Sequence, residues 1–218
     1  MKPKFWQIFV CILIGIILAV GGVLGLTAIV KNARAVVRLG DVTVDSSTVT
    51  YLAALYKLEY LGSVDEAAEP SDTKEFWEKE KEEGLTYGED FENSFKEYLA
   101  GLVADAYLYT VHHGYTPEDK LTVAQLTDKV LSDSAGGSVT EFNRVAKECG
   151  FDFKFADFQN AVALRYKAGH ADEFLPSSMS EDEKAGARQD AISQVSFNKY
   201  YDYIDLIDVP MINEYYVK

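Results

Sequence analysis

Cysteine is scarce in this chain: Cys11 and Cys149 are the only two among 218 residues. Cys11 falls inside an uncharged apolar run and is followed by no small-residue lipobox pattern, so neither lipid attachment nor pairing is expected there. A single thiol is left beyond that run, and no intrachain disulfide can staple it. Stability must come from packing. Cys149, in KECGF, reads as a small buried hydrophobe rather than a nucleophile. Histidine is nearly as rare, at three residues. His112 and His113 are adjacent, so on a helix they point about 100° apart and cannot share a metal as i, i+4 histidines do. His170 stands alone. Walker, GxSxG and GxGxxG patterns are missing, and the paired carboxylates at residues 78–83 read as a solvated face. No catalytic residue, metal or cofactor is expected. Positive charge is also short: 21 basic residues face 35 acidic ones, for a net charge of −14. Such a surface repels nucleic acid and anionic headgroups, and nucleic-acid binding is excluded.

What the chain does have is one long greasy segment. Residues 5–30 read FWQIFVCILIGIILAVGGVLGLTAIV without a charge. That exceeds the ~20 residues a helix needs to cross ~30 Å of hydrocarbon, so the expectation is a membrane span. Its length favours a retained signal anchor over a cleaved signal peptide, although Ala33-Arg34-Ala35 has the small-x-small form of a cleavage site. Lys2 and Lys4 precede it, and Lys31 and Arg34 come after it. The positive-inside bias is therefore weak. One N-terminal signal-like span exports the rest of the chain. The expected order is a cytoplasmic terminus at 1–4, the anchor at 5–30, a linker at 31–35 and an extracytoplasmic domain at 36–218.

The exported part is long enough for a sizeable core. AVVRLGDVTVD reads as two short β pieces around Gly40-Asp41, with Val36, Val37 and Leu39 before the turn and Val42 and Val44 after it. A helix comes next, capped by Asp45 or Ser46, with Val49, Leu52, Ala53, Tyr56 and Tyr60 on one face and Gly62 as its stop. Residues 63–88 read as an acidic loop containing a short helix and open aromatic side chains. A long helix then runs to His113, with Phe91, Phe95, Tyr98, Leu99, Leu102, Val103, Ala106 and Tyr107 in a broad stripe. Thr116-Pro117-Glu118-Asp119 opens the next, to about Ser134. Ser138-Val139-Thr140-Glu141 caps a shorter one ending at Gly150. A fourth starts at Phe153 or Lys154 and runs towards Phe174, and Leu175-Pro176 breaks the chain. A closing helix at about 181–206 and a C-terminal strand at about 207–213 complete the reading. That strand is expected to pair, through residues 208–212, with 36–39 or 42–44. The expected fold is mostly α, a multi-helix domain in which a small β element joins the two ends.

Aromatic residues are abundant, with 14 Tyr and 12 Phe. The tyrosines at 107/109, 200/201/203 and 215/216 exceed what one stripe can bury. Tyrosine offers apolar contact with a polar tip and little entropy to lose, which suits polypeptide contacts.

The opening VVRLGDVTVDSSTVTYLAALY resembles the start of SurA/PrsA-type extracytoplasmic foldases, with Val37, Gly40, Val42, Val44 and Tyr51 at comparable places. YGEDFENSFKEYLAGLVADAYLYTVHHGYTPEDK resembles that family's long helix and its exit. SVTEFNRVAKECGFDFKFADFQNAVALRYKA resembles its next helix pair, matched at Phe142, Gly150, Phe158 and Tyr166. The resemblance spans roughly residues 36–170. Only residues 171–180 stand where a parvulin prolyl isomerase domain usually comes, so the resemblance implies the N-terminal chaperone domain without the isomerase. It implies a membrane-anchored protein that binds unfolded or newly exported polypeptides without catalysis. The alternative is a scaffold or adaptor docking one envelope or membrane partner, and the third reading is an isomerase-related foldase. Tyr60, Phe76, Trp77, Tyr87 and Phe174 are the candidate polypeptide contacts, because they sit at helix ends or in the irregular segment.

Overall fold

The computed structural model describes residues 35–211, and residues 36–211 belong to one compact unit. Both the apolar run at 5–30 and the last residues of the expected C-terminal strand lie outside the described residues. Among the described residues no helix is long and apolar enough to cross a membrane.

The chain starts as a tight strand pair, β1 (Ala35–Leu39) and β2 (Val42–Asp45). Gly40 makes the turn at φ +54°, and a Cβ there would meet the Tyr107 ring at 2.7 Å. Glycine is therefore required on two counts, backbone hand and space. Asp45 then caps α1 (Ser46–Ser63), its carboxylate accepting from the Thr48 amide at 2.9 Å.

After a 3₁₀ turn at Glu66–Ala68 come the short α2 (Lys74–Glu78) and a hairpin of β3 (Glu80–Glu82) and β4 (Leu85–Thr86). The hairpin was not expected, because β3 is acidic and both strands are too short to show alternation. The long α3 (Tyr87–His112) opens with a Thr86/Glu89 capping box. It is the central element, packing on α6, α7 and α8 as well as on α2.

The next helices start where their caps predict. α4 (Pro117–Ala135) has the Thr116/Asp119 box with proline at its start, and α5 (Val139–Glu148) has Ser138. α6 (Phe155–Gly169) stops at His170 instead of reaching Phe174, and α7 (Ala171–Phe174) is a separate turn.

The C-terminal reading needs correction. α8 (Glu181–Ser193) ends a dozen residues before the expected boundary near 206. Val195, Ser196 and Asn198 are poor helix formers, and the chain leaves the helix there. Ser196–Phe197 becomes β5, antiparallel to β1 with Val37 opposite Phe197 and Arg38 opposite Ser196. The sheet order is β2-β1-β5. The two ends of the domain do pair, but through 196–197. Residues 204–208, where the expected strand begins, form a 3₁₀ turn instead. Pro210 lies beyond it, with its Cγ 3.1 Å from where a Gly150 Cβ would stand.

Candidate functional site

The candidate contact residues divide once their burial is known. Tyr60, Phe76 and Trp77 are buried. Tyr60 donates its hydroxyl to Asp90 at 2.6 Å, and Asp90 also receives Lys81 at 2.7 Å. Phe76 stacks on Tyr87 at 4.6 Å and meets Trp77 edge-on at 5.1 Å. The expectation of open aromatics in the irregular segment is therefore corrected: these rings hold that segment onto α1 and α3. The driving force is simple, since each large ring removes far more apolar area from water than the short α2 could bury otherwise. Tyr87 is half-buried in the same stack. Phe174 is half-buried elsewhere, stacked on His113 at 3.7 Å and edge-on to Tyr109 at 5.2 Å. The five are not one surface.

An apolar cleft does exist, at residues the candidate set left out. Its floor is Tyr51 of α1 with Phe158 of α6, and its walls are Val130 and Ser134 of α4 with Phe142, Val145 and Ala146 of α5. Phe151, Phe153 and Cys149 complete the rim. The rings lock one another: Tyr51 meets Phe153 at 5.0 Å and Phe158 at 5.5 Å, both edge-on, and Phe142 lies 5.6 Å from Phe158. The volume is about 30 Å³, close to one water's share of liquid volume. It fits the tip of one aliphatic side chain.

The chemistry of this cleft is contact chemistry. Burial pushes the Tyr51 phenol up to about 12, against the opposing charge of Arg165, so it stays neutral. The Ser134 hydroxyl donates to the Val130 carbonyl of its own helix at 2.6 Å. Cys149 is exposed at the rim. Sequence spacing had marked Tyr51, Phe142 and Phe158 only as points of family resemblance. Their convergence is tertiary, across three helices.

Two polar nodes were also missed. Lys57 is fully buried and gives its ammonium to Asp72 at 2.8 Å and to the carbonyls of Ile207 and Val209. Trp77 Nε1 donates to the same Asp72 oxygen at 3.0 Å. Burial lowers the Lys57 pKa, and Asp72 opposes that shift. A signal was present: Lys57 continues the 49–53 spacing of the apolar stripe, where a surface lysine has no place. The second node is Asp119, which receives the Thr116 hydroxyl at 2.7 Å and amide at 2.8 Å. Tyr166 donates to it at 3.3 Å, and His113 Nε2 lies 3.4 Å away. Burial works against ionisation, yet the Thr116 bonds outweigh it and hold the carboxyl at about 2. Tyr109 Oη is buried beside this group and reaches Asp119 without a hydrogen bond of good geometry. Burial first, and then that polar contact with Asp119, push its phenol up.

Among the described residues no three His, Cys, Asp or Glu side chains gather as metal ligands. Comparisons with protein-family models, with curated proteins and with solved structures found no match.

Proposed function

We propose that this chain is a membrane-tethered extracytoplasmic protein that binds polypeptide without catalysing a reaction on it. In this reading it corresponds to the chaperone part of SurA/PrsA-type foldases without their isomerase domain. The observation that carries it is the aromatic-walled, predominantly apolar cleft between α1, α4, α5 and α6. It would take an aliphatic side chain of an extended segment, with the rim supplying further contact. Tethering by residues 5–30 keeps the domain at the site of export and raises the local client concentration without added affinity.

The test uses residues 35–218 and a denatured model client. Suppressed aggregation is expected, and it should weaken several-fold in Ala146→Leu, which fills the cleft with apolar volume. Equal client aggregation with and without the domain would end the reading. The small cleft volume favours a second reading, in which one anchor residue of a dedicated envelope or membrane partner docks there. Capture from membranes separates the two, since a holdase returns many clients and an adaptor returns one at fixed ratio.

A further inference from the structure

Charge is distributed unevenly around Tyr115, in the short turn between α3 and α4. Acidic residues outnumber basic ones 35 to 21 in this chain. Several cations follow that excess to a carboxylate, as Lys57 does with Asp72 and Arg188 with Asp105. Lys120 and Lys167 do not. The ammonium of Lys167, on α6, lies 4.2 Å from the centre of the Tyr115 ring, and that of Lys120, on α4, lies 5.7 Å from it. Neither has a carboxylate within ion-pair distance, and among the described residues no other ring gathers two lysines.

Two ammonium groups drawn to one ring repel each other, and a cation–π contact worth ~0.5–1 kcal/mol at an exposed site is a modest return. The nearby carboxylate, Asp119, is already committed to Thr116, Tyr166 and His113. The two ammonium groups are therefore left beside one ring without an ion-paired carboxylate. Lys167 titrates below its ordinary value, first through burial and then through the Lys120 charge, with Asp119 opposing. A bridging anion would remove that repulsion.

We propose that Lys120 and Lys167, gathered at the Tyr115 ring, form a binding site for a compact oxyanion of the phosphoryl class. Lysine ammoniums serve as point charges for such groups without demanding a planar, bidentate partner. A free phosphate and a phospholipid headgroup present the same chemistry. The site lies on the α3–α4 turn and on α6 beyond the cleft-lining Phe158, and it does not depend on the polypeptide-binding reading.

The test follows the full chain by NMR in uncharged detergent while inorganic phosphate is added at constant ionic strength. Saturable shifts are expected at Tyr115, Lys120 and Lys167, and chloride should not reproduce them. Lys120→Gln, at an exposed position that leaves the fold intact, should weaken binding by about tenfold; Lys120→Arg should retain it. A second arm places the chain in nanodiscs of zwitterionic or anionic phospholipid without phosphate. The same residues shifting only with anionic lipid identifies a headgroup as the source, and a response to phosphate alone identifies the free ion. No localised saturable shift in either arm, or equal shifts with chloride, overturns the site.

Discussion

Lys57 and Asp119 are both buried charges reached by three or more polar contacts, yet they are built for different ends. Lys57 draws its partners from separate stretches: Asp72 before α2, and the backbone at 207 and 209. Its three donors are all used. Asp119 takes its shortest bonds from Thr116, three residues away, and shares its surroundings with the buried Tyr109 hydroxyl, which makes no bond of good geometry. The first node ties chain ends together and is closed. The second caps a helix, beside two lysines that form no ion pair. A protein can thus bury one charge as a fastener and another as part of an unfinished surface. The inventory of hydrogen bonds tells them apart.

The largest predicted effect tests the fastener. Lys57→Ala should cost about 3–5 kcal/mol, the range for removing one partner of a buried ion pair. It leaves Asp72 with only its Trp77 donor and strands two backbone carbonyls at once. Denaturant melts measure it directly, and amide exchange should show the 204–209 turn losing protection ahead of α3. A loss below about 1 kcal/mol, the scale of an exposed ion pair, would make Lys57 an incidental burial, and the contrast between the nodes would fail.

The second prediction uses pH. Asp119 is held at about 2 in the fold against an ordinary value of 3.8. A carboxyl depressed in the folded state contributes stability above its unfolded pKa, and that contribution disappears as pH falls through the folded one. The difference is worth about 2 kcal/mol, lost between about pH 4 and pH 2. Asp119→Asn should flatten the stability profile in that window relative to the parent chain. An unchanged profile would show that the Thr116 bonds do not favour the ionised form.

These nodes also mark what could be read from the sequence. Helix starts were legible because their causes are local: Asp45, Thr116 with Pro117, Ser138 and Ser180 each satisfy amides within three residues. The turn at Gly40 was legible for the same reason. The partner of β1 was not. Ser196 and Phe197 form a strand only because β1, near the other end of the domain, offers a ladder, and nothing in SQVSFN announces it. α8 was overextended on the same ground, since its end is set by that pairing. For the site, the aromatic surplus was visible but its destination was not. Tyr60, Phe76 and Trp77 were singled out for lying at a helix end or in irregular chain, and irregular chain is what they are needed to hold down. The cleft instead uses Tyr51, Phe142 and Phe158, whose spacing in sequence looks like ordinary core.

The two smaller predictions sharpen the Asp119 node by setting its tyrosines against each other. Tyr109→Phe deletes a fully buried hydroxyl that makes no bond of good geometry, so it should stabilise the fold by about 1 kcal/mol, the low end of the penalty for an unsatisfied buried polar group. Tyr166→Phe deletes a hydroxyl that donates to Asp119 at 3.3 Å. That bond is longer than the usual range for O–H···O pairs, so its loss should cost only about 0.5 kcal/mol. The opposite signs are the point. If both variants destabilise, Tyr109 makes a real bond within the cluster, and the Asp119 node is as closed as that of Lys57. If Tyr109→Phe alone stabilises, the spare polar capacity beside Lys120 and Lys167 is intrinsic to the fold, and the thermal melt of one conservative variant is enough to establish it.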